Sequence, residues 1–137
     1  MNKKVKILLD TNTLILSVKY GLDIFTHIEE TLLRKCSFYV LNKTLVELEN
    51  LKKKGRPLEK KIATIALKLV KDKCNIINVQ PLPGETVDDI IVRVVYENKM
   101  ILITNDRELR SRISALGLPV GWINPEEKRV KIKGYYD

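Results

Sequence analysis

Two carboxylates follow short apolar segments of the chain, each just before a segment with helical spacing of apolar residues. Asp10 comes directly after the apolar residues 7–9, and Asp106 follows the apolar residues 100–103 after two polar residues. Each apolar segment predicts a strand. Because α/β proteins place their sites at the carboxyl ends of strands, we expect both acids at one edge of a sheet, in a shared acidic pocket.

Two further acids are predicted to lie at the same edge. Glu47 lies early in a helix that follows a predicted strand at 37–41, and Asp88 lies in the first turn of a helix that leads into the strand at 100–103. Four carboxylates in one pocket would repel each other, and a divalent cation would relieve that repulsion. Hard carboxylate oxygens suit Mg²⁺ or Mn²⁺.

The charge of the chain indicates which substrate such a site would take. Its 137 residues include 25 Lys and Arg against 17 Asp and Glu, a formal charge of +8 that suits a polyanionic partner. A bound cation could activate a water and stabilise the leaving oxygen of a phosphodiester. Nucleic-acid hydrolysis follows, and the candidates for RNA contact are Lys52, Lys53, Lys54, Arg56, Arg107 and Arg110. For the run at 52–56, a solvated helix end is the alternative.

Strands and helices are predicted to alternate along the whole chain. Strands are expected at 5–9, 37–41, 76–79, 100–103, 119–123 and 129–133, the last of them at an edge. Among the helices, Thr11 and Asn12 are predicted to cap the first, and Asp23, Asn42 and Thr86 to cap later ones. This order predicts a parallel-rich sheet between helical layers, and the 45% hydrophobic content predicts a single domain over 1–137.

Several other classes of protein lack their required residues here. No apolar segment is long enough for a membrane span or a signal-peptide core, so we expect a cytoplasmic protein without a membrane partner. Cys36 and Cys74, with one His in the chain, predict free thiols rather than a zinc site. The chain has no GxSxG, Walker or GxGxxG motif, and position 12 is Asn where an aspartyl-phosphate phosphatase would have Asp.

Four short motifs, taken in order, resemble those of the PIN-domain nucleases. They are ILLDTN at 7–12, LVEL at 45–48, DDII at 88–91 and ITNDREL at 103–109. None is specific alone, but the ordered set is. The resemblance implies a three-layer α/β/α sandwich with a mostly parallel central sheet, and an endoribonuclease activity that depends on Mg²⁺ or Mn²⁺.

The resemblance also implies roles for particular residues. The acids that match the family's catalytic and metal-binding positions are Asp10, Glu47, Asp88 and Asp106. Asn12 and Thr104 match its polar pocket positions, which would orient a carboxylate or a water. Asp89 is either a supporting residue of the same kind or a charge at the helix N-terminus.

Three functions remain open within this resemblance. Residues 104–110 and 117–120 look more like the archaeal and eukaryotic ribosomal-RNA-processing branch than the VapC-type toxins, which favours RNA processing. The toxin alternative would add an antitoxin partner. The third alternative is a non-catalytic RNA-binding or ribosome-assembly subunit. Many PIN domains pair, so a homodimer is expected, and the RNA substrate itself is not specified.

Overall fold

A computed structural model describes residues 3–136 and has six strands and six helices in that range. The strands are β1 (Val5–Leu9), β2 (Cys36–Leu41), β3 (Cys74–Ile77), β4 (Ile101–Ile103), β5 (Val120–Asn124) and β6 (Arg129–Lys133). The helices are α1 (Thr11–Lys19), α2 (Ile24–Leu32), α3 (Asn42–Lys54), α4 (Pro57–Lys73), α5 (Val87–Asn98) and α6 (Arg107–Ala115).

The six strands form one sheet in the order β3-β2-β1-β4-β5-β6. All neighbouring pairs are parallel except β5 and β6. The chain builds from β1 outward through β2 to β3, and then returns to the other side of β1 with β4. The order therefore reverses between β1 and β4, and ligands of open α/β sheets bind at such a reversal, outside the carboxyl ends of the strands.

Helices cover both faces of the sheet, as the alternation of side chains along β1 requires. Ile7 and Leu9 belong to the core formed with α1, α2, α3 and α4. Leu8 points the other way and belongs to the core formed with α5 and α6. The predicted α/β/α sandwich with a mostly parallel sheet is confirmed.

The start of α1 differs from the prediction. Thr11 is already helical, and Asp10 occupies the cap position, where its carboxylate Oδ1 accepts a hydrogen bond from the Thr13 N–H at 2.8 Å. The prediction that Thr11 and Asn12 cap this helix was therefore wrong. Asp is as good a cap as Asn, and the helix begins directly after Asp10, earlier than the cap prediction assumed.

Two predictions around β3 were also wrong. Asn42 is the first helical residue of α3 and not its cap, because its side-chain Oδ1 accepts from the Val79 N–H at 3.2 Å, in the segment after β3. The strand itself is Cys74–Ile77, since it begins directly after α4 ends at Lys73. Asn42 therefore ties the chain beyond β3 to the start of α3.

The other helix ends follow the sequence closely. Asp23 and Thr86 cap α2 and α5 with their side chains, as predicted. Gly117, at a φ of 73°, turns the chain after α6. Leu116 is 47% exposed, because the helix ends before it.

The two cysteines are free thiols, as the sequence predicts. Cys36 and Cys74 are free, and burial raises the pKa of Cys36 to about 11 and that of Cys74 to about 12. Both thiols therefore stay protonated at neutral pH. Within residues 3–136, no helix has the length and apolar character of a membrane span.

Candidate functional site

A cavity of about 380 Å³ opens at the carboxyl ends of β1 and β2. Three of the four predicted acids, Asp10, Glu47 and Asp88, line it together with Asn12. The other lining residues are Leu8, Leu9, Thr11, Ile15, Leu41, Lys43, Thr44, Leu51, Val87 and Ile91. The acids come from three elements, since Asp10 follows β1, Glu47 lies on α3 and Asp88 on α5.

Asp10 is the most firmly held of the acids. Its Oδ1 accepts from the Thr13 N–H at 2.8 Å, and its Oδ2 accepts from the Thr104 hydroxyl at 2.5 Å. Burial raises the pKa of Asp10 above its ordinary value, and the negative charge of Asp106 acts in the same direction, against the hydrogen bonds from Thr104 and Thr13. The fold thus keeps a carboxylate where its charge is unfavourable, which is a common property of functional sites.

Thr104 connects the acids that follow β1 and β4. Its side chain is fully buried, and its hydroxyl donates to Asp10 and accepts from the Asp106 N–H at 3.2 Å. Asp106 itself is exposed and caps α6 by accepting from the Leu109 N–H at 3.1 Å. It is not among the residues that line the cavity, so its link to Asp10 runs through Thr104.

Glu47 is held by two threonines. The Thr11 hydroxyl lies 2.8 Å from Glu47 Oε1 and 2.9 Å from the Thr44 hydroxyl. A carboxylate only accepts hydrogen bonds, and Thr11 has one hydroxyl proton. Thr11 therefore donates to Glu47 and accepts from Thr44, which orients Glu47 although its side chain is exposed.

The neighbouring acids Asp88 and Asp89 have different surroundings. Asp89 accepts from the Thr86 N–H at 2.9 Å and pairs with Arg112 at 3.0 Å, and these contacts lower its pKa. Asp88 lines the cavity and has no hydrogen bond or ion pair within residues 3–136. Asp88 is thus available to a ligand, while Asp89 stabilises the helix start.

Three cavity residues were missed by the sequence reasoning. Thr11 and Thr44 support Glu47, and Lys43 brings a positive charge to a wall with three acids. The signal for Thr44 was its position three residues before Glu47, on the same helix face. Lys43 gave no signal, because a lysine early in a helix is ordinary for so basic a chain.

The arrangement limits how a cation could be held. Among residues 3–136, no three His, Cys, Asp or Glu side chains lie close enough to bind one metal ion together. The four acids therefore do not form the single tight cluster that we expected when we argued that a cation relieves their mutual repulsion. Their hard oxygens still fit Mg²⁺ or Mn²⁺, because such ions use one or two carboxylates and keep several waters.

The predicted basic residues fall in two places. Lys52, Lys53 and Lys54 are exposed in the last turn of α3, and Arg56 is exposed just beyond it. Their charges oppose the negative end of the helix dipole, a structural role that needs no ligand. The second place is α6: Arg107 is its first residue, and the Arg110 guanidinium stacks on Trp122 at 4.7 Å from the ring centre.

A three-layer sandwich with acids at the reversal of strand order defines an α/β protein with a polar site at the sheet edge. The chain belongs to the PIN-like domain family, whose model matches residues 7–124. That range includes all four predicted acids.

The particular relatives fall into two groups. The human rRNA-processing protein FCF1 homolog is 31% identical over 124 residues, covering 86% of this chain and 57% of the relative. Ribonuclease VapC9 of Archaeoglobus fulgidus is 31% identical over 133 residues, covering 96% of this chain and 93% of the relative. The chain thus spans just over half of the FCF1 relatives and nearly all of VapC9.

Solved structures share the fold. The PIN domain endonuclease Utp24 has a TM-score of 0.74 at 24% identity and covers 96% of this chain and 93% of its own. A chain of VapBC2 from Rickettsia felis, bound to a promoter DNA fragment, has a TM-score of 0.64 at 17% identity and covers 88% of this chain and 100% of its own. At these identities the likeness is one of fold.

Proposed function

We propose that this chain is a divalent-metal-dependent endoribonuclease that acts in RNA processing. The observation that carries the proposal is the cavity at the carboxyl ends of β1 and β2, which Asp10, Glu47 and Asp88 line and where Thr104 links Asp10 to Asp106. Membership of the PIN-like family supports it, and so does the likeness to a ribonuclease along nearly the whole chain.

Each residue has a distinct part in this proposal. Asp10, with Asp88 or Asp106, would hold Mg²⁺ or Mn²⁺, which supplies an activated water and neutralises charge on the phosphate. Thr104 keeps the Asp10 carboxylate in one orientation by its hydrogen bond. Glu47, oriented by Thr11, can accept a proton from a water on the other wall of the cavity.

Cleavage of end-labelled single-stranded and structured RNA, with Mn²⁺, Mg²⁺ or EDTA, tests the proposal. We expect metal-dependent cleavage that falls at least about 100-fold in Asp10→Asn, because that acid lines the cavity and neutral Asn binds cations poorly. Asp23→Asn is the matched control, since Asp23 is also a helix cap but lies on α2. Equal cleavage by wild type and Asp10→Asn would contradict the proposal.

The adjacent acids of α5 give a second, internal test. Asp88→Asn should lower cleavage at least about tenfold with little change in stability, since Asp88 has no partner within residues 3–136. Asp89→Asn should keep cleavage but lower the unfolding free energy, because it loses the ion pair with Arg112 and the carboxylate that accepts from the Thr86 N–H. Urea unfolding measures the change in stability, and the cleavage assay measures the change in activity. If Asp89→Asn lost cleavage and Asp88→Asn lost only stability, Asp89 would be the site acid and Asp88 the structural one.

A toxin ribonuclease with an antitoxin partner is the second candidate. It is favoured by one observation, the 93% coverage of VapC9 against 57% of the human FCF1 homolog. Expression in the native host with a tagged chain separates the two, because a toxin should co-purify with one small protein that suppresses cleavage. RNA binding without cleavage under any metal would instead indicate a non-catalytic assembly subunit.

A further inference from the structure

A second groove, of about 470 Å³, lies beside α6 and is separate from the acidic cavity. The residues that line it are Arg107, Arg110, Ser111, Ser114, Ala115 and Lys133. Three of the six are cations, two carry hydroxyls, and none is acidic. The acidic cavity has three carboxylates and one lysine, so the two concave surfaces have opposite charge.

The spacing along α6 places these residues on one face. Arg107, Arg110, Ser111 and Ser114 stand at positions i, i+3, i+4 and i+7, which lie above one another on a helix. Leu109 and Ile113 occupy the opposite, buried face. The short side chains at 111, 114 and 115 leave open space between the arginines and Lys133 at the end of β6.

Within the described part of the chain, the cations of this groove form no ion pair with an acid. Within residues 3–136, the ion pairs of arginine and lysine involve Arg93, Arg112, Arg129 and Lys131, none of which lines the groove. Arg110 Nε is buried and has no hydrogen-bond partner in the same range. Stacking on Trp122 holds the Arg110 guanidinium in place without neutralising it.

We propose that this groove, which we call the α6 groove, binds a backbone phosphate of the RNA strand whose cleavage is proposed above. Arginine and hydroxyl donors match the oxygens of a phosphate, and a fixed, unpaired arginine loses little side-chain freedom on binding. Arg107 follows the acid Asp106 directly, and the α6 groove extends to residue 115, roughly 13 Å further along the helix axis. The groove thus begins beside Asp106, which Thr104 links to Asp10, and a phosphate held there would set the direction of the strand.

This inference rests on the proposed function for its ligand, but it can be tested without cleavage. The test is the affinity of a fluorescein-labelled oligouridylate for the full chain in EDTA, measured by anisotropy at several salt concentrations. In Arg107→Gln/Lys133→Gln, we expect about tenfold weaker binding, and a salt slope lower by about 1.4, from two lost phosphate contacts. Both side chains are exposed, so the fold should be retained, which circular dichroism would verify.

The chain offers a matched control for charge alone. Lys68→Gln/Lys71→Gln also removes two cations, both of which line a groove of about 470 Å³ beside α4 that includes Glu49 and apolar residues. Binding should fall at most about twofold in this control. Equal losses in both double variants would overturn the α6 groove in favour of general charge. Tighter binding of an oligoglutamate than of oligouridylate, lost in the groove variant, would also overturn it.

The two proposals fail in different ways. In one outcome, Asp10→Asn abolishes metal-dependent cleavage, but the groove and control variants bind RNA equally well. This outcome would support the nuclease proposal and contradict the α6 groove proposal. Selective loss of RNA affinity in the groove variant, with no cleavage under any metal, would keep the groove and remove the nuclease. Selective loss together with cleavage supports both.

Discussion

Two units of the chain have the same local order of a strand, an acid that caps a helix, and the helix: β1, Asp10 and α1, and β4, Asp106 and α6. The surroundings of the two acids differ in the structure. In both, the acid accepts from the N–H three residues later, Thr13 for Asp10 and Leu109 for Asp106. Asp10 follows its strand directly and is held by Thr104, whereas Asp106 is exposed. The local pattern sets the start of each helix, but contacts between the units set the environment of each carboxylate.

Two hydroxyls make those contacts, in opposite directions. Thr104, after β4, donates to Asp10 at the start of α1. Thr13, within α1, donates to the carbonyl of Ile103 in β4 at 2.9 Å, and both threonines are fully buried. The first unit therefore provides a buried charge and the second provides the group that holds it.

Of the variants that remove a contact between the two units, Thr104→Val should have the largest effect, because it removes the contact to the acid. The variant leaves the Asp106 N–H without its acceptor and frees the Asp10 carboxylate to turn. We expect a loss of about 1–3 kcal/mol in unfolding free energy and at least about tenfold in RNA cleavage. Thr104→Ser keeps the hydroxyl, so it should retain most of the stability and most of the cleavage activity. If Thr104→Val cleaved RNA as well as Thr104→Ser, Thr104 would not position Asp10.

The pH dependence of stability should separate Asp10 from an ordinary capping acid. Burial raises its folded pKa above the unfolded value, so the protonated carboxyl stabilises the fold at low pH and this contribution is lost as pH rises through the folded pKa. In EDTA, Asp10→Asn should therefore gain stability relative to wild type as pH rises. Urea unfolding across pH measures the difference.

Asp23 should show the opposite sign, because the hydrogen bonds from Thr26 lower its pKa. Its carboxylate stabilises the fold above the unfolded pKa, and this contribution is lost as pH falls through the folded value. Asp23→Asn should thus lose stability relative to wild type as pH rises. If both variants followed the same trend, burial would not be what distinguishes Asp10.

The smallest effect is expected from Thr13→Val, which removes the other contact between the units. Val has nearly the same shape, and the lost hydrogen bond to the Ile103 carbonyl should lower the unfolding free energy by about 1 kcal/mol. Cleavage should change by less than about threefold, since the backbone N–H at position 13 still donates to the Asp10 carboxylate. If Thr13→Val lost more cleavage activity than Thr104→Val, the contact made by Thr13 would be the more important of the two for the site.

The sequence was sufficient for the features that depend on near neighbours. Periodicity gave the strands and helices, and Asp23 and Thr86 were recognised as caps because a cap acts within three residues. The order of elements gave the parallel sheet, and the ordered motifs gave the family. Asp10 was predicted as a site acid and lines the cavity, although its role as the cap of α1 was missed.

Contacts between distant segments were not predictable in the same way. Nothing near Asn42 indicates that its side chain would bond to Val79, 37 residues away. The same holds for the groove of α6, where Lys133 joins residues of a helix that ends 18 positions earlier. The run at 52–56 has the highest density of positive charge in the sequence. The α6 groove has fewer cations, but these line a concave surface, which the sequence alone did not indicate.

The loop after β4 has a feature that makes the site observable without substrate. The Asn105 side chain donates to the Ile123 carbonyl at 2.9 Å and accepts from the Ile123 N–H at 2.8 Å, and so continues the pairing of β4 with β5 by side-chain atoms. The Ile123 amide hydrogen is thus protected from exchange only while the segment at 104–106 is in place. Its exchange rate, followed by NMR in deuterated water, would report the opening of the segment that carries Thr104 and Asp106.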